Sequence, residues 1–189
     1  MLGIIEKKRA MREQALRLRR ALSPEHRLAA SHAICCTVAA HPAFLEADLI
    51  LSFFAVRGEV DLSALLSMAH QRQIPVAYPI CVGKELIFRI IKSEDDLLPD
   101  AFGIPAPRPD LPLAHPTERT LCLLPGLAAG LDGTRLGYGG GFYDRFLDTF
   151  EGITLFPIYE ELVFDTLPQE PTDRPVDIIL TEKGEIPHA

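Results

Sequence analysis

Apolar positions at the start of the chain recur with the period of an α-helix. Their steps of four, three and four residues place them on one face of a helix predicted over residues 5–21, and these positions are Met11, Ala15, Leu18 and Leu22. The arginines of this segment mostly fall on the other faces. Ser23, Pro24 and Glu25 have the pattern of an N-cap, a first-turn proline and a first-turn acid. A second helix is therefore predicted to begin there and to end near Pro42.

Beyond residue 47, short apolar runs alternate with amphipathic or polar segments. Six runs have the length and composition of strands, namely residues 48–55, 75–79, 85–91, 120–124, 153–158 and 176–181. Residues 61–73 have the amphipathic pattern of a helix between the first two runs. This alternation predicts an α/β fold with a largely parallel sheet and helices on both of its faces.

Six prolines crowd the stretch from Pro99 to Pro116. Their density prevents a helix and disfavours a central strand, so this stretch is predicted to be extended. The sequence shows no internal repeat and no pattern of a second apolar core. We therefore expect a crossing loop within a single domain that covers residues 1–189.

The composition fits one folded domain, because 48% of the 189 residues are hydrophobic and 24% are charged. The formal net charge of −7 argues against binding along a nucleic acid. Residues 1–36 nevertheless carry eight basic and three acidic side chains, a net +5, which leaves −12 for the remainder. This basic segment fits a phosphate ligand, an acidic partner or a membrane surface, and equally a solvated helix face.

The four cysteines, Cys35, Cys36, Cys81 and Cys122, show no CxxC spacing. We expect reduced, buried thiols rather than a zinc site. Residues 1–20 are charged where a signal peptide has its apolar region, and no apolar run has the length of a membrane span. We expect a cytoplasmic protein.

The most informative stretch follows the predicted strand 120–124 and leads into an amphipathic helical pattern. Gly137, Gly139, Gly140 and Gly141 lie within five positions of one another. Clustered glycines are typical of backbone that needs positive φ or approaches a ligand closely, and amides at a helix start form a phosphate cradle. A flexible turn without a ligand would have the same glycines.

Neighbouring side chains favour a nucleotide site at these glycines. Arg135 offers a cation to phosphates, and Tyr143 and Asp144 offer an aromatic ring and a carboxylate able to hold Mg²⁺. The stretch does not fit the P-loop pattern, and it lacks the acid that follows GxGxxG in a dinucleotide site. A Rossmann oxidoreductase, which shares the order of strand, glycines and helix, is the alternative at the level of fold.

The sequence RLGYGGGFYDRFL at 135–147, preceded by LPGLA at 124–128, resembles the glycine motif of the 5-formyltetrahydrofolate cyclo-ligase family. The resemblance covers nearly the whole chain in order and spacing. Its other parts are KRAMR at 8–12, RxxLS at 19–23, GEVD at 58–61, Phe102-Gly103-Ile104, Leu167-Pro168, Asp173 and VDIILTEKG at 176–184.

This resemblance implies an enzyme that uses ATP and Mg²⁺ to convert 5-formyltetrahydrofolate to 5,10-methenyltetrahydrofolate, with release of ADP and phosphate. It also implies a Rossmann-like three-layer α/β domain. Such an enzyme mainly positions two substrates and neutralises charge on the transferred phosphoryl group. We expect a monomer that acts on small molecules, without a nucleic acid or membrane partner.

The resemblance assigns roles to particular residues. ATP binding is implied for Lys8, Arg9, Ala10, Met11, Arg12, Arg135, Leu136, Gly137, Tyr138, Gly139, Gly140, Gly141, Phe142 and Tyr143. Substrate binding is implied for Phe54, Glu59, Tyr138, Gly139, Gly140, Gly141 and Phe142, with Glu59 accepting hydrogen bonds from the pterin ring. Catalytic roles fall to Lys8, Arg135 and Arg145, and metal binding falls to Asp144 and Asp173.

Three positions depart from the pattern of the family. Ala106 stands where an acid is common, Leu162 where a glutamine is common and Thr172 where a histidine is frequent. The first two changes remove polar groups near the expected ligand site. A divergent member that binds ATP but takes another formylated or pterin-like compound, or is not catalytic, is the second hypothesis. A third assigns the basic N-terminal helix to RNA, against which the net charge of −7 weighs.

Overall fold

A computed structural model of the protein describes residues 3–99, 103–171 and 173–188. Phe102 and Thr172, both named above, lie outside the described residues. The described helices are α1 (Ile4–Ala21), α2 (Pro24–Ala40), α3 (Pro42–Leu45), α4 (Ser63–Gln71) and α5 (Phe142–Leu147). Ser23 caps α2 as predicted, because its side chain accepts a hydrogen bond from the backbone N–H of His26.

The strands form one large sheet and two small ones. In chain order they are β1 (Leu49–Leu51), β2 (Val76–Val82), β3 (Glu85–Ile91), β4 (Leu97–Pro99), β5 (Pro105–Pro107), β6 (Thr120–Leu123), β7 (Ala128–Gly130), β8 (Arg135–Leu136), β9 (Ile153–Pro157), β10 (Val163–Phe164), β11 (Ile178–Thr181) and β12 (Gly184–Ile186). The seven-stranded sheet has the order β12-β11-β9-β6-β1-β2-β3. Its five central strands are parallel and both edge strands are antiparallel to their neighbours, which confirms the prediction of a largely parallel sheet.

The core lies on the central strands. β1, β6 and β11 are buried along their whole length, as expected for parallel strands covered on both faces. The buried apolar side chains of the described residues belong to one cluster. Since the carboxyl ends of parallel strands meet at one edge, the segments that follow β1, β6 and β9 come together there.

The buried face of α1 differs from the apolar face that the sequence predicted. Lys8, Ala15 and Arg19 are its buried residues, whereas Leu18 is 37% exposed. Periodicity treats charged side chains as solvent-facing, and here two of them have partners elsewhere in the fold. The prediction that the arginines cover the other faces is therefore wrong for Arg19.

Strand β1 is shorter than the apolar run that predicted it. Only residues 49–51 of the predicted run 48–55 pair with β2 and β6. Ser52 and Phe53, which follow β1, are still buried, but they lie in a loop rather than in a strand. The helix predicted over 61–73 is likewise shorter, Ser63–Gln71.

The proline-rich stretch is extended where the structure describes it. β5 pairs antiparallel with β4, and Leu113 forms an isolated bridge to Arg89 of β3. These short pairings lie outside the central strands of the large sheet, which is where proline is tolerated in β-structure.

The cysteine prediction is half correct. Cys35 and Cys122 are buried, whereas Cys36 and Cys81 are exposed. Within the described ranges, no helix has the length and apolar character needed to cross a membrane.

Candidate active site

The glycine segment 137–141 connects β8 to α5 beside the carboxyl edge of the large sheet. Gly139 and Gly141 have φ of 94° and 65°, a left-handed conformation that glycine adopts without steric cost. Gly141 is also the N-cap of α5. At Gly139 and Gly141 the backbone therefore takes a conformation that other residues adopt only with strain.

Two cavities share this glycine segment as a wall. The polar cavity has a volume of about 700 Å³ and the apolar cavity about 630 Å³. Residues that line both are Arg135, Gly137, Gly139, Gly141 and Asp144. A ligand in either cavity would therefore lie against the same backbone.

Lys8 lies in the polar cavity with its ammonium group held between two acids. Its Nζ donates to Glu170 Oε2 at 2.7 Å and to Asp173 Oδ2 and Oδ1 at 2.6 and 2.8 Å, and its side chain is 7% exposed. Burial lowers the pKa of Lys8, but the hydrogen bonds and charges of Asp173 and Glu170 outweigh it, so the pKa is raised. Lys8 is thus a fixed cation at pH 7.

A second ion pair faces the same cavity. Arg135 donates from Nη2 to Asp144 Oδ1 at 2.8 Å and from Nη1 to the Pro125 carbonyl at 3.0 Å. The Arg135 side chain is 4% exposed and that of Asp144 is 38% exposed. Arg12 adds a third cation, because its Nε donates to the Gly137 carbonyl at 2.9 Å. These three cations and the glycine backbone line one cavity together with the acids Asp144, Asp148, Glu170 and Asp173. The cations and the backbone amides are suited to phosphate groups.

Arg145 has a different position from the other cations. It is exposed, donates from Nε to the Lys84 carbonyl at 3.0 Å and from Nη2 to the Gly140 carbonyl at 3.3 Å, and lies over the Phe142 ring. These contacts join the glycine segment to the β2–β3 turn. Arg145 also lines the polar cavity.

The apolar cavity is lined by aromatic rings, among them Phe54, and by the acid Glu59 in addition to the shared Asp144. Phe54 stacks on Tyr78 with ring centroids 4.2 Å apart and planes 17° apart. Glu59 is 5% exposed, and its Oε2 accepts from the Val56 N–H at 3.0 Å, while Oε1 has no hydrogen-bond partner. Burial raises the pKa of Glu59, against the opposing effects of the Val56 N–H, Arg19 and Tyr138. A flat ligand with N–H donors would find a hydrogen-bond acceptor in this carboxylate.

Most of the predicted site residues line these cavities. Lys8, Arg12 and Leu136 lie on the polar side, and Phe54, Glu59, Tyr138, Gly140, Phe142 and Tyr143 lie on the apolar side. Arg9 and Ala10 are exposed, and neither they nor Met11 line either cavity. Ligand contact stays a prediction for all of the site residues, those that line a cavity and these three alike.

The two predicted metal-binding acids are each paired with a cation, Asp144 with Arg135 and Asp173 with Lys8. Within the described residues, the one set of three His, Cys, Asp or Glu ligand atoms lying within 4.8 Å of each other is His26, Glu161 and Glu182. Asp144 and Asp173 are not part of it. The structure therefore places both acids at the polar cavity without joining them in a preformed metal cluster.

A profile of the 5-formyltetrahydrofolate cyclo-ligase family matches residues 4–182. The chain belongs to this family. It is 29% identical over 171 residues to 5-formyltetrahydrofolate cyclo-ligase of Escherichia coli strain K12, covering 86% of this chain and 93% of that protein. It is also 34% identical over 130 residues to the Mycolicibacterium smegmatis enzyme of the same name, covering 66% of this chain and 62% of that protein.

Solved structures of the family agree with the fold. The 5,10-methenyltetrahydrofolate synthetase of Aquifex aeolicus superposes with a TM-score of 0.83 at 32% identity, covering 94% of this chain and 91% of that one. The Mycoplasma pneumoniae synthetase has a TM-score of 0.76 at 23% identity, covering 93% and 98%, and supports the fold alone. Membership in this family decides against the Rossmann oxidoreductase.

The structure also locates two of the departures from the family pattern. Ala106 lines the apolar cavity, so the missing acid would have faced the ligand there. Leu162 is fully buried and lies outside the lining of both cavities. Its replacement of a polar group therefore fills the core, contrary to the expectation that it borders the ligand.

Several lining residues were not found from the sequence. Glu170 and Arg174 line the polar cavity, and Pro79, Ile80 and Leu86 line the apolar one. Glu170 is recognisable only through its contact with Lys8, 162 positions away. The β2–β3 residues belong to an ordinary apolar strand pattern, which carries no information about a ligand.

We expect replacement of Gly139 by alanine to weaken binding in both cavities. The new Cβ would lie 3.2 Å from Arg12 Cζ at a φ of 94°, and left-handed backbone costs a non-glycine residue about 1–2 kcal/mol. The segment would leave the binding geometry, so the apparent Kd for ATP and for 5-formyltetrahydrofolate should each rise about tenfold. Calorimetry measures both.

Gly184→Ala is the matched control for this substitution. Gly184 has a φ of 121°, its Cβ would meet no atom within 4 Å, and it lies at the β11–β12 turn. It tests backbone strain away from the cavities. Unchanged affinities in the Gly139 variant, or equal losses in both variants, would contradict the role of the shared wall.

Proposed function

We propose that the protein converts 5-formyltetrahydrofolate to 5,10-methenyltetrahydrofolate with consumption of ATP. The observation that carries this proposal is the glycine segment shared by a cationic cavity and an aromatic cavity. A reaction that transfers a phosphoryl group from ATP to a second substrate needs two adjoining sites of these two kinds. Family membership supports the same reaction.

The polar cavity fits the phosphate chain of ATP. Lys8, Arg12 and Arg135 supply positive charge there, and the glycine backbone lets phosphate oxygens approach closely. The acids that hold Lys8 and Arg135 in place also keep these cations oriented. We assign ATP to this cavity.

The apolar cavity fits a pterin. Phe54, whose ring stacks on the buried Tyr78, lines it together with Tyr138 and Phe142 and offers flat apolar surface, and Glu59 offers a carboxylate. A pterin presents a flat face and N–H donors, which match these two features. We assign 5-formyltetrahydrofolate to this cavity.

The reaction follows from this placement. The formyl oxygen attacks the γ-phosphorus and ADP leaves. N10 of the folate then attacks the formyl carbon and releases its proton to solvent, and phosphate leaves as the ring closes. Lys8 and Arg135 neutralise charge that develops on the transferred phosphoryl group, and removal of one such donor typically costs about 10²–10³ in rate. Glu59 and the glycine segment hold the two substrates in line.

Mg²⁺ fits this site through the chemistry of its carboxylates. Asp144 uses Oδ1 for Arg135 and is partly exposed to the cavity, so its second oxygen faces a place where a hard cation is suited. Asp173 uses both oxygens on Lys8. Mg²⁺ bound with the nucleotide would neutralise phosphate charge, and Asp144 and Asp173 are the residues we assign to it.

The finer features of the fold and setting belong to the same proposal. The single buried cluster supports one Rossmann-like, three-layer domain over residues 1–189. The two cavities fit small-molecule substrates, and we infer a monomer without a nucleic acid or membrane partner. We place the protein in the cytoplasm.

Ala106 motivates a second candidate function. The apolar cavity lacks a second acid at that position, so a member of the family with an altered cavity would bind ATP but act on another formylated or pterin-like compound, or only bind it. Ala106→Glu would then restore activity toward 5-formyltetrahydrofolate.

The deciding experiment follows the absorbance of the methenyl product with 5-formyltetrahydrofolate and Mg²⁺, with and without ATP, together with phosphate release. We expect product only with ATP, and one phosphate for each product formed. ATP binding without product would favour the second candidate function. Neither binding nor product would refute both.

A cysteine next to the apolar cavity provides a test of ligand placement. Cys81 is exposed and lines that cavity, whereas burial raises the pKa of the Cys35 thiol to about 12 and also raises that of Cys122. We expect 5-formyltetrahydrofolate to slow alkylation of Cys81 severalfold. Exposed Cys36 is the internal control, and peptide mass spectrometry reads both. Equal labelling of Cys81 with and without the folate would contradict the assignment.

A further inference from the structure

Arg19 is a buried arginine of α1 that lines neither of the two large cavities. It is 2% exposed. Its Nη1 donates to the hydroxyl of Tyr138 at 3.0 Å and its Nη2 donates to the carbonyl of Gly126. Burial of a guanidinium is costly unless its charge is compensated, so its surroundings must contain the compensating group.

Glu59 supplies the opposite charge. The charge of Arg19 lowers the pKa of Glu59 against the effect of burial, and Arg19 and Glu59 lie beside the same small internal space. Neither side chain is more than 5% exposed, so solvent screens their attraction little.

Tyr138 connects the two groups. Arginine can only donate hydrogen bonds, so the Tyr138 oxygen accepts from Nη1 of Arg19 and its single proton is directed elsewhere. The nearby Glu59 carboxylate raises the pKa of the Tyr138 hydroxyl, whereas Arg19 lowers it. Tyr138 and Glu59 both line the apolar cavity. Arg19 does not line it but contacts Tyr138.

We propose that Arg19 is a positioning residue for recognition of the pterin substrate. It holds Tyr138 in place through the hydrogen bond to its hydroxyl and lies beside Glu59, so that the Glu59 carboxylate is set to accept hydrogen bonds from the pterin N–H groups. This inference rests on the proposed function, because it requires a pterin in the apolar cavity.

The fold connects this role with the nucleotide side. Lys8, Arg12 and Arg19 are separated by four and seven residues and therefore lie on one stripe of α1. Lys8 and Arg12 contact the polar cavity, and Arg19 supports the apolar one. One helix face thus serves both substrates, which gives a physical reason for a buried face that carries positive charge.

The pH dependence of binding provides the distinguishing measurement. Glu59 is faced by Arg19 from α1, by Tyr138 and Tyr143 from the glycine segment and α5, and by Tyr159, whose hydroxyl donates to the Glu59 carbonyl at 3.1 Å. Burial raises the pKa of all three tyrosines, that of Tyr138 to about 12, so they stay neutral near pH 7. The carboxylate of Glu59 is therefore the group that titrates.

The direction follows from the charge on Glu59. Binding through an ionised acceptor is present above the pKa of Glu59 and is lost as the pH falls through it. Without the positive charge of Arg19, the pKa of Glu59 rises, since a neighbouring opposite charge commonly lowers the pKa of an acid by about 1–3 units. The loss of binding then begins at higher pH.

The test compares Arg19→Met, Arg19→Lys and, as the control, Arg20→Met at an exposed neighbouring position. Calorimetry with 5-formyltetrahydrofolate is recorded across acidic to mildly alkaline pH, and ATP binding is measured on the same samples. For Arg19→Met we expect a Kd for the folate raised about tenfold or more near pH 7 and a binding profile displaced upward by about one pH unit or more. ATP affinity should change less than twofold.

Arg19→Lys retains the positive charge but cannot donate to Tyr138 and Gly126 from two separate nitrogens as Arg19 does. This variant should keep the normal pH profile while binding the folate more weakly. It also keeps the test valid if Arg19→Met does not fold. Equal loss of ATP and folate affinity, or an unchanged pH profile in a folded Arg19→Met variant, would overturn the role of Arg19 alone. Failure of the unmodified protein to bind 5-formyltetrahydrofolate would overturn the proposed function as well.

Discussion

Replacing Lys8 by alanine should abolish nearly all ATP-dependent turnover while the protein stays folded. Lys8 places a nearly buried ammonium group at the polar cavity, with a side chain 7% exposed, and its raised pKa keeps it charged. Its removal deletes a preorganised cation where the transferred phosphoryl group lies, and such losses cost about 10²–10³ in rate. The same change leaves Asp173 and Glu170 without a cation beside the phosphates.

The measurements are kcat and KM for ATP, with the melting temperature as a check on folding. Lys7→Ala is the matched control, because Lys7 is the exposed neighbour on the same helix, and it should leave turnover unchanged. An Lys8→Ala variant that binds ATP with normal affinity and turns over at a normal rate would exclude ATP from the polar cavity.

The second large effect is expected for Asp144→Asn. The substitution keeps a hydrogen-bond acceptor for Arg135, which now contacts Asp144 at 2.8 Å, but removes the negative charge proposed to hold Mg²⁺. Activity should fall about 10- to 100-fold, the range known for supporting residues of metal sites. The Mg²⁺ concentration for half-maximal activity should rise, whereas affinity for the folate should remain within a few-fold of normal.

A magnesium titration of turnover separates the metal role from a role in placing Arg135. Glu151→Gln, at an exposed position after α5, controls for the loss of one surface charge. A lower rate with an unaltered Mg²⁺ dependence would mean that Asp144 acts through Arg135, and the metal assignment would then be wrong.

The sequence predicted the central architecture because that part depends on local pattern. The apolar runs at 120–124 and 153–158 became β6 and β9, and the run at 85–91 became β3 with the same bounds. Buried parallel strands need continuous apolar runs, so their positions can be predicted from the sequence. Strands β7, β8 and β10 were missed, since each has only two or three residues, too few for a recognisable pattern, and β10 pairs with β7 from a distant part of the sequence.

The glycine segment was also identified from the sequence, because positive φ restricts the choice of residue. Gly139 and Gly141 do adopt it. The sequence did not predict in the same way which other side chains line the cavities with these glycines. Lys8 reaches Asp173 across 165 positions, and no spacing rule connects such residues.

The largest difference concerns α1. The sequence by itself determined that a helix forms there and that it is basic. Only the tertiary structure decided that the stripe of Lys8, Arg12 and Arg19 faces inward, because the acids and carbonyls that compensate these charges come from segments after β1, β6 and β9. A charged side chain is buried only where such partners meet it, and the packing of the sheet's carboxyl edge brings those partners together.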